Sequence, residues 1–124
     1  MRISLTDALT KAVTAHRLRR YDEAEALYAD ILAAHPMHPD VNHNKGLLLK
    51  RKGQLEEALV LFKQALHANS KDTPQFWVSY IDLLIYLERR EEVEQAFLQA
   101  RRNGIVDPNL ERLSTHFYGS KAPL

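Results

Sequence analysis

Apolar side chains recur along most of this chain at i, i+3 and i+4, and glycine, proline or a polar cluster interrupts the pattern at short intervals, which predicts a run of short amphipathic helices. The pattern is plainest between Gly46 and Asn69. Leu47, Leu48 and Leu49 lead into the basic run Lys50, Arg51, Lys52; Gly53 then breaks the helix, and Leu55, Ala58, Leu59, Phe62, Ala65 and Leu66 line one side of the next. Two helices joined by so short a turn make an α-hairpin with an apolar stripe on each arm. A single hairpin cannot bury such stripes, so further copies are expected.

The register does return. Ala24 and Ala58 are 34 residues apart and Ala58 and Val93 are 35 apart, and four positions after each comes an aromatic: Tyr28, Phe62 and Phe97. Ile31, Ala65 and Ala100 follow the aromatics, and acidic pairs precede the anchors: Asp22 and Glu23, Glu56 and Glu57, Glu91 and Glu92. Three hairpins are predicted, with helices over about 4–18 and 22–34, about 40–52 and 55–69, and about 74–87 and 90–103. Ser4 or Thr6 is placed to cap the first helix, with Asp7 near its start. Pro36 and Pro39 separate the first pair from the second. The next junction, at Ser70 to Pro74, is one residue longer, which accounts for the longer second spacing. Gly104 closes the third pair. Asp107 and Pro108 read as N-cap and first-turn proline of a last helix to about 117, with Leu110, Leu113 and Phe117 on one side to cover the flank of the third hairpin. Residues 119–124 carry no such pattern and read as a tail or the start of a linker.

Composition narrows the function classes. The 124 residues leave room for one domain, and 27% charged residues with a net charge of +1 argue against a nucleic-acid binder that relies on bulk charge. Without cysteine there is no disulfide, thiol nucleophile or cysteine-based zinc site. Asp7 and Lys11 interrupt what would be the apolar core of a signal peptide, and no run approaches the roughly 20 apolar residues of a membrane span. The expectation is a cytoplasmic protein, a monomer or weak homo-oligomer, engaging neither nucleic acid nor membrane.

In repeat length, and in the spacing of its small and aromatic residues, the chain resembles the tetratricopeptide repeat family. The resemblance is stronger over about 34–107 than over about 5–33. It implies an all-α fold: a right-handed α-solenoid of three helix-turn-helix repeats at about 5–38, 39–72 and 74–107, closed by a capping helix at about 108–117, in one domain over 1–118. Trp77, Tyr80 and Leu84 take the places of the family's first-helix anchors, and Gly46 that of the small residue where paired helices approach closely. Some positions depart from the pattern. Lys11 and Ala15 stand where large apolar residues are usual, so the first helix is expected to be the least firmly held. Ile81 is in register with Gly46, so helix spacing should widen there. Ser70 replaces the proline found at Pro36, which weakens one turn.

No catalytic constellation is present, so the chain is not expected to be an enzyme or to need a cofactor, and function should reside in a surface. By the resemblance, the first helices line a concave groove with the stripe Leu9, Thr10, Val13, His16 and Arg17; His43, Asn44, Leu47, Lys50 and Arg51; and Val78, Ser79, Asp82, Ile85 and Tyr86. Interleaved apolar, amide, basic and aromatic groups suit an extended peptide or a helix. Chaperone-binding members hold a C-terminal carboxylate with lysines, arginines and asparagines. Asn44 matches one of those places, but Leu9, Val13, Gln75 and Ser79 occupy others, so that clamp is absent. The run DVNHNKGLL is similar to repeats joined to O-linked N-acetylglucosamine transferases and related bacterial transferases, where an asparagine in register with Asn44 recurs to hold a peptide backbone. Thr10 and Ser79 leave that ladder partial. A scaffold binding a peptide or protein is the expected function. The alternatives are a substrate-recruiting module of a larger glycosyl-, sulfo- or methyltransferase, and self-association through a flank at Leu110, Leu113 and Phe117.

Six histidines raise the question of a metal. His35 and His38 flank prolines, and His16 and His43 face the groove with too few ligands gathered for a site, so on ligand count no metal site is expected and the histidines are read as solvated. The basic clusters Arg17, Arg19, Arg20; Lys50, Arg51, Lys52; and Arg89, Arg90 close the first helices, while acids open the second helices, as the helix dipole favours. Stacked along one rim, the basic ends would attract an acidic partner.

Overall fold

The computed structural model describes residues 3–69 and 71–119. These form α-helices and no strand: α1 (Leu5–Arg17), α2 (Tyr21–Ala34), α3 (Pro39–Arg51), α4 (Leu55–Ala68), α5 (Pro74–Tyr86), α6 (Arg90–Arg102) and α7 (Pro108–Tyr118). Every predicted helix is present, its ends within a residue of those expected. The residues 120–124 of the expected tail, and Ser70 in the longer junction, lie outside the described residues. The helices form two compact units, Met1–Ala68 with α1 to α4 and Asn69–Leu124 with α5 to α7. No helix among the described residues is long and apolar enough to cross a membrane.

One turn geometry closes the first helix of every hairpin. After α1 the amides of Arg19 and Arg20 donate to the carbonyls of His16 and Ala15 at 3.0 and 2.9 Å; after α3, Gly53 and Gln54 donate to Lys50 and Leu49 at 3.0 and 2.9 Å; after α5, Glu88 and Arg89 donate to Ile85 and Leu84, both at 3.0 Å. This crossed pair of bonds needs a left-handed residue just past the helix end, and φ is 63° at Arg19, 82° at Gly53 and 58° at Glu88. Only the second hairpin supplies glycine. At the other two equivalent places a Cβ is forced against the following carbonyl, at a local cost in stability.

Side chains cap the starts of α1, α3 and α7. Ser4, not Thr6, caps α1, its hydroxyl accepting from the Asp7 amide at 3.1 Å. Asp107 caps α7 by accepting from Asn109 and Leu110 at 2.8 and 3.2 Å. At the start of α3, His38 Nδ1 accepts from the Val41 amide at 3.3 Å, so this histidine is a capping group. Asn42, fully buried, donates from Nδ2 to the carbonyls of Pro36 and His38 at 3.0 and 2.9 Å. The proline-rich junction between α2 and α3 is thereby tied to the helix that follows it.

In the first unit α3 packs along α4 because Gly46 has no side chain. A Cβ there would stand 2.6 and 2.7 Å from Cε1 and Cδ1 of the buried Phe62 ring, and 3.4 Å from the Ala58 carbonyl oxygen. Around α1 and α2 the core gathers Ala12, Ala15, Ala24, Tyr28 and Ile31 with Val41 and Leu48 of α3. Ala15 is thus a core residue despite its size, while Lys11 is exposed.

In the second unit Ile81 is fully buried in the place corresponding to Gly46, and α5 meets α6 less extensively than α3 meets α4, in keeping with the extra bulk. Trp77, Tyr80 and Leu84 are buried as anchors should be. α7 packs on α5, with Leu110 buried and Leu113 and Phe117 half-buried. Tyr118, one residue past the expected helix end, joins them: the Phe97 ring lies 6.1 Å from Phe117 and 5.8 Å from Tyr118, and the Arg90 guanidinium sits 4.8 Å over Phe117.

Two substitutions test this packing in opposite directions. Gly46→Ala forces a methyl into a ring with no free space and should cost about 1–3 kcal/mol. Arg19→Gly relieves the left-handed Cβ and should gain up to about 1 kcal/mol. Urea unfolding midpoints check both; a Gly46→Ala midpoint equal to that of the wild type would contradict the close approach of α3 to α4.

Candidate functional site

The residues expected to line a groove in the first unit lie on α1 and α3, which touch one another. On α1, Leu9, Val13 and His16 are half-buried, while Thr10 and Arg17 are exposed. The Thr10 hydroxyl is engaged on its own helix, donating to the Thr6 carbonyl at 2.9 Å. On α3, Asn44, Leu47 and Lys50 are half-buried, Arg51 is exposed, and His43 is only 6% exposed. The second unit carries the remaining stripe on α5. Val78 and Ile85 are half-buried, Asp82 is exposed, Tyr86 is 72% exposed, and Ser79, 5% exposed, accepts from Gln75 Nε2 at 3.3 Å.

Two histidines read as solvated are instead part of the packing. The His43 ring lies 5.6 Å from the Phe62 ring, and burial holds its pKa below the ordinary 6.5 even though Asn44 and Asp40 act in the other direction. Asn44, half-buried, is hydrogen-bonded through its side chain to this imidazole at the edge of the core. His16 Nδ1 is 3.0 Å from the hydroxyl of Tyr28, which is fully buried and whose pKa burial pushes up to about 12. His16 also meets Tyr21 and Tyr28 edge-on, with ring centroids 6.1 and 5.8 Å away. Burial and the nearby Arg51 charge lower the His16 pKa. The Arg51 guanidinium itself rests 5.2 Å over the Tyr21 ring.

The basic ends of the first helices differ in their engagements. Lys52 turns away from this corner, its Nζ 2.9 Å from Glu25 Oε1 and 3.7 Å from Asp22 Oδ1 on α2. Arg17 and Arg51 make no ion pair with a described residue. Tyr21 and Tyr28 are the functional-looking residues that the repeat pattern hides. Tyr28 stands in register with Phe62 and Phe97, so only its hydroxyl marks it out, and Tyr21 stands where the other hairpins carry Leu55 and Arg90. The signal lay in departures from the repeat.

The lowered pKa values of His16 and His43 predict how stability varies with pH. Both rings take up protons less readily in the folded chain than in the unfolded one, so their contribution is complete above the unfolded value of 6.5 and is lost as pH falls below it toward the folded values. Wild-type unfolding midpoints should therefore drop between about pH 7 and pH 5 more steeply than those of the double variant His16→Gln, His43→Gln. Parallel profiles would contradict the burial of these two rings.

Comparison with solved structures returns the same architecture. The first TPR of Spaghetti (RPAP3), bound to the HSP90 peptide SRMEEVD, superposes with a TM-score of 0.73 at 17% identity, covering 96% of this chain and 99% of that one. The Sgt2 TPR domain from Aspergillus fumigatus gives 0.73 at 16% identity, over 96% and 85%. MamA from AMB-1 gives 0.67 at 23% identity over 85% of this chain, which spans only 57% of MamA. At such identities the likeness is one of fold. The tetratricopeptide repeat model, however, matches the sequence itself over residues 9–74, more than half of the chain. With three hairpins closed by one recurring turn, and with that match, the chain belongs to the tetratricopeptide repeat family.

Proposed function

We propose that the chain is a non-catalytic interaction module that holds an extended peptide or protein segment along the first helices of its repeats. The observation that carries this reading is the composition of the α1–α3 face. Leu9, Val13 and Leu47 offer shallow apolar purchase, Asn44 offers an amide, and Arg17 and Arg51 are cations without ion-pair partners among the described residues. An extended ligand has the complementary needs: apolar side chains to seat, backbone amides and carbonyls to satisfy, and, in an acidic segment, charge to neutralise. In the second unit, described by itself, the face of α5 carries Val78, Asp82 and Tyr86, a similar mix of apolar, polar and aromatic groups. Support also comes from the RPAP3 domain, whose structure holds a peptide.

Asn44 is the residue to test. Its amide both donates and accepts, so it can bridge a ligand backbone without regard to sequence. Asn44→Ala should weaken peptides selected from a random library by about 1–3 kcal/mol, measured by calorimetric titration, with the unfolding midpoint unchanged. If those peptides bind Asn44→Ala unaltered but lose affinity for Val60→Asp, on the exposed side of α4, the first-helix face is not the site.

A further inference from the structure

The corner where α1 and α3 end is more specifically built than a basic rim. Arg51 is held over Tyr21 at 5.2 Å, Tyr21 is met edge-on by His16 with interplanar angle 78°, and His16 is tied from behind to the buried Tyr28 hydroxyl at 3.0 Å. A guanidinium resting on an aromatic ring keeps all its N–H donors for another group and loses little freedom when it engages one. Tyr21 and Tyr28 of α2 and Arg51 of α3 face the imidazole, and Arg17 is its neighbour on α1; Asp22 and Glu25 of α2, the acids beside the basic ends, are both engaged by Lys52. The corner thus has two arginines, with no ion pair among the described residues, beside a titratable ring.

We propose that His16, Tyr21 and Arg51, with Arg17 at the edge, form a seat for a side-chain carboxylate of the bound peptide, and that seating the carboxylate draws a proton onto His16. The inference rests on the peptide-binding reading above and names the chemistry the peptide must carry. A carboxylate on Arg51 cancels the positive field that opposes charging of the imidazole and adds a direct attraction to it, so the ring takes a proton from solvent. Its bond to Tyr28 survives, because the hydroxyl that donates to a neutral Nδ1 can accept from a protonated one. The seat lies where the C-terminal ends of α1 and α3 meet the N-terminal end of α2 at Tyr21, so the helix dipoles offset one another and the attraction for a carboxylate comes from the arginine side chains.

The test is calorimetric titration of the full chain with a capped hexapeptide alternating glycine and glutamate, and with its glycine–glutamine counterpart, at about pH 6 and pH 7.5 in buffers of different ionisation enthalpy. The glutamate peptide should bind more tightly than the glutamine peptide, and more tightly at the lower pH, with uptake of up to about one proton. Arg51→Gln should weaken it roughly tenfold, while Lys52→Gln, whose lysine is already paired, should change it less than about twofold. His16→Gln should abolish the proton uptake. The proposal is overturned if the glutamate peptide fails to bind, if Arg51→Gln and Lys52→Gln have equal effects, if no proton is taken up, or if inorganic phosphate binds the corner more tightly than the peptide does. Equal binding of the two peptides, both weakened by Asn44→Ala, overturns the seat and leaves the groove reading standing. An Arg51-dependent, proton-linked peptide insensitive to Asn44→Ala supports the seat and removes the groove.

Discussion

The distance between α3 and α4 is set by a side chain that is not there. With only hydrogen at Gly46, the Phe62 ring fills the space a Cβ would take, and the two helices close on each other along their length. Phe62 in turn supports the His43 ring, and that contact fixes which way the rest of α3 is turned. Once His43 faces inward, the helical period leaves Asn44, Leu47 and Lys50 half-buried and Arg51 at the surface. A packing constraint inside the hairpin therefore decides which groups a ligand would meet.

The same logic holds at the charged ends. Lysine and arginine at a helix C-terminus are favoured by the dipole whatever their function, so their presence alone says little. Their engagements say more. Lys52 is drawn down to Glu25 and Asp22, whereas Arg51, one position earlier, is turned by the helix onto Tyr21. Adjacent basic residues have become a strut between α2 and α3 and a cation on an aromatic floor. In water the first arrangement contributes modestly to stability, and the second keeps a charge available at the surface.

Helices, hairpin register and the small residue at Gly46 were legible in the sequence because each rests on a local period or on one residue type with one steric reason. The turns were half legible. Gly53 announced a helix break, but Arg19 and Glu88 adopt the same left-handed conformation without glycine, since the hydrogen bonds that close the helix and the packing of the next one outweigh the Cβ penalty. The histidines were misjudged for a related reason. Periodicity places His16 and His43 on the first-helix face, yet whether that face is wet depends on the aromatic reaching it from the second helix, Tyr28 or Phe62, and no spacing rule reports that distance. Asn42, in register with the anchor Trp77, would read as a weak core residue; its role in holding Pro36 and His38 follows only from the path of the junction.

Mapping a bound peptide onto the chain by backbone amide chemical shifts tests the central claim most directly, that the first-helix face is the binding surface. Titration of the acidic hexapeptide into isotope-labelled protein should move the resonances of Leu9, Val13, Asn44, Leu47 and Arg51 together, with one affinity. Shifts confined to the outer faces of α2 and α4, around Ala26 and Val60, with α1 and α3 unmoved, would contradict it.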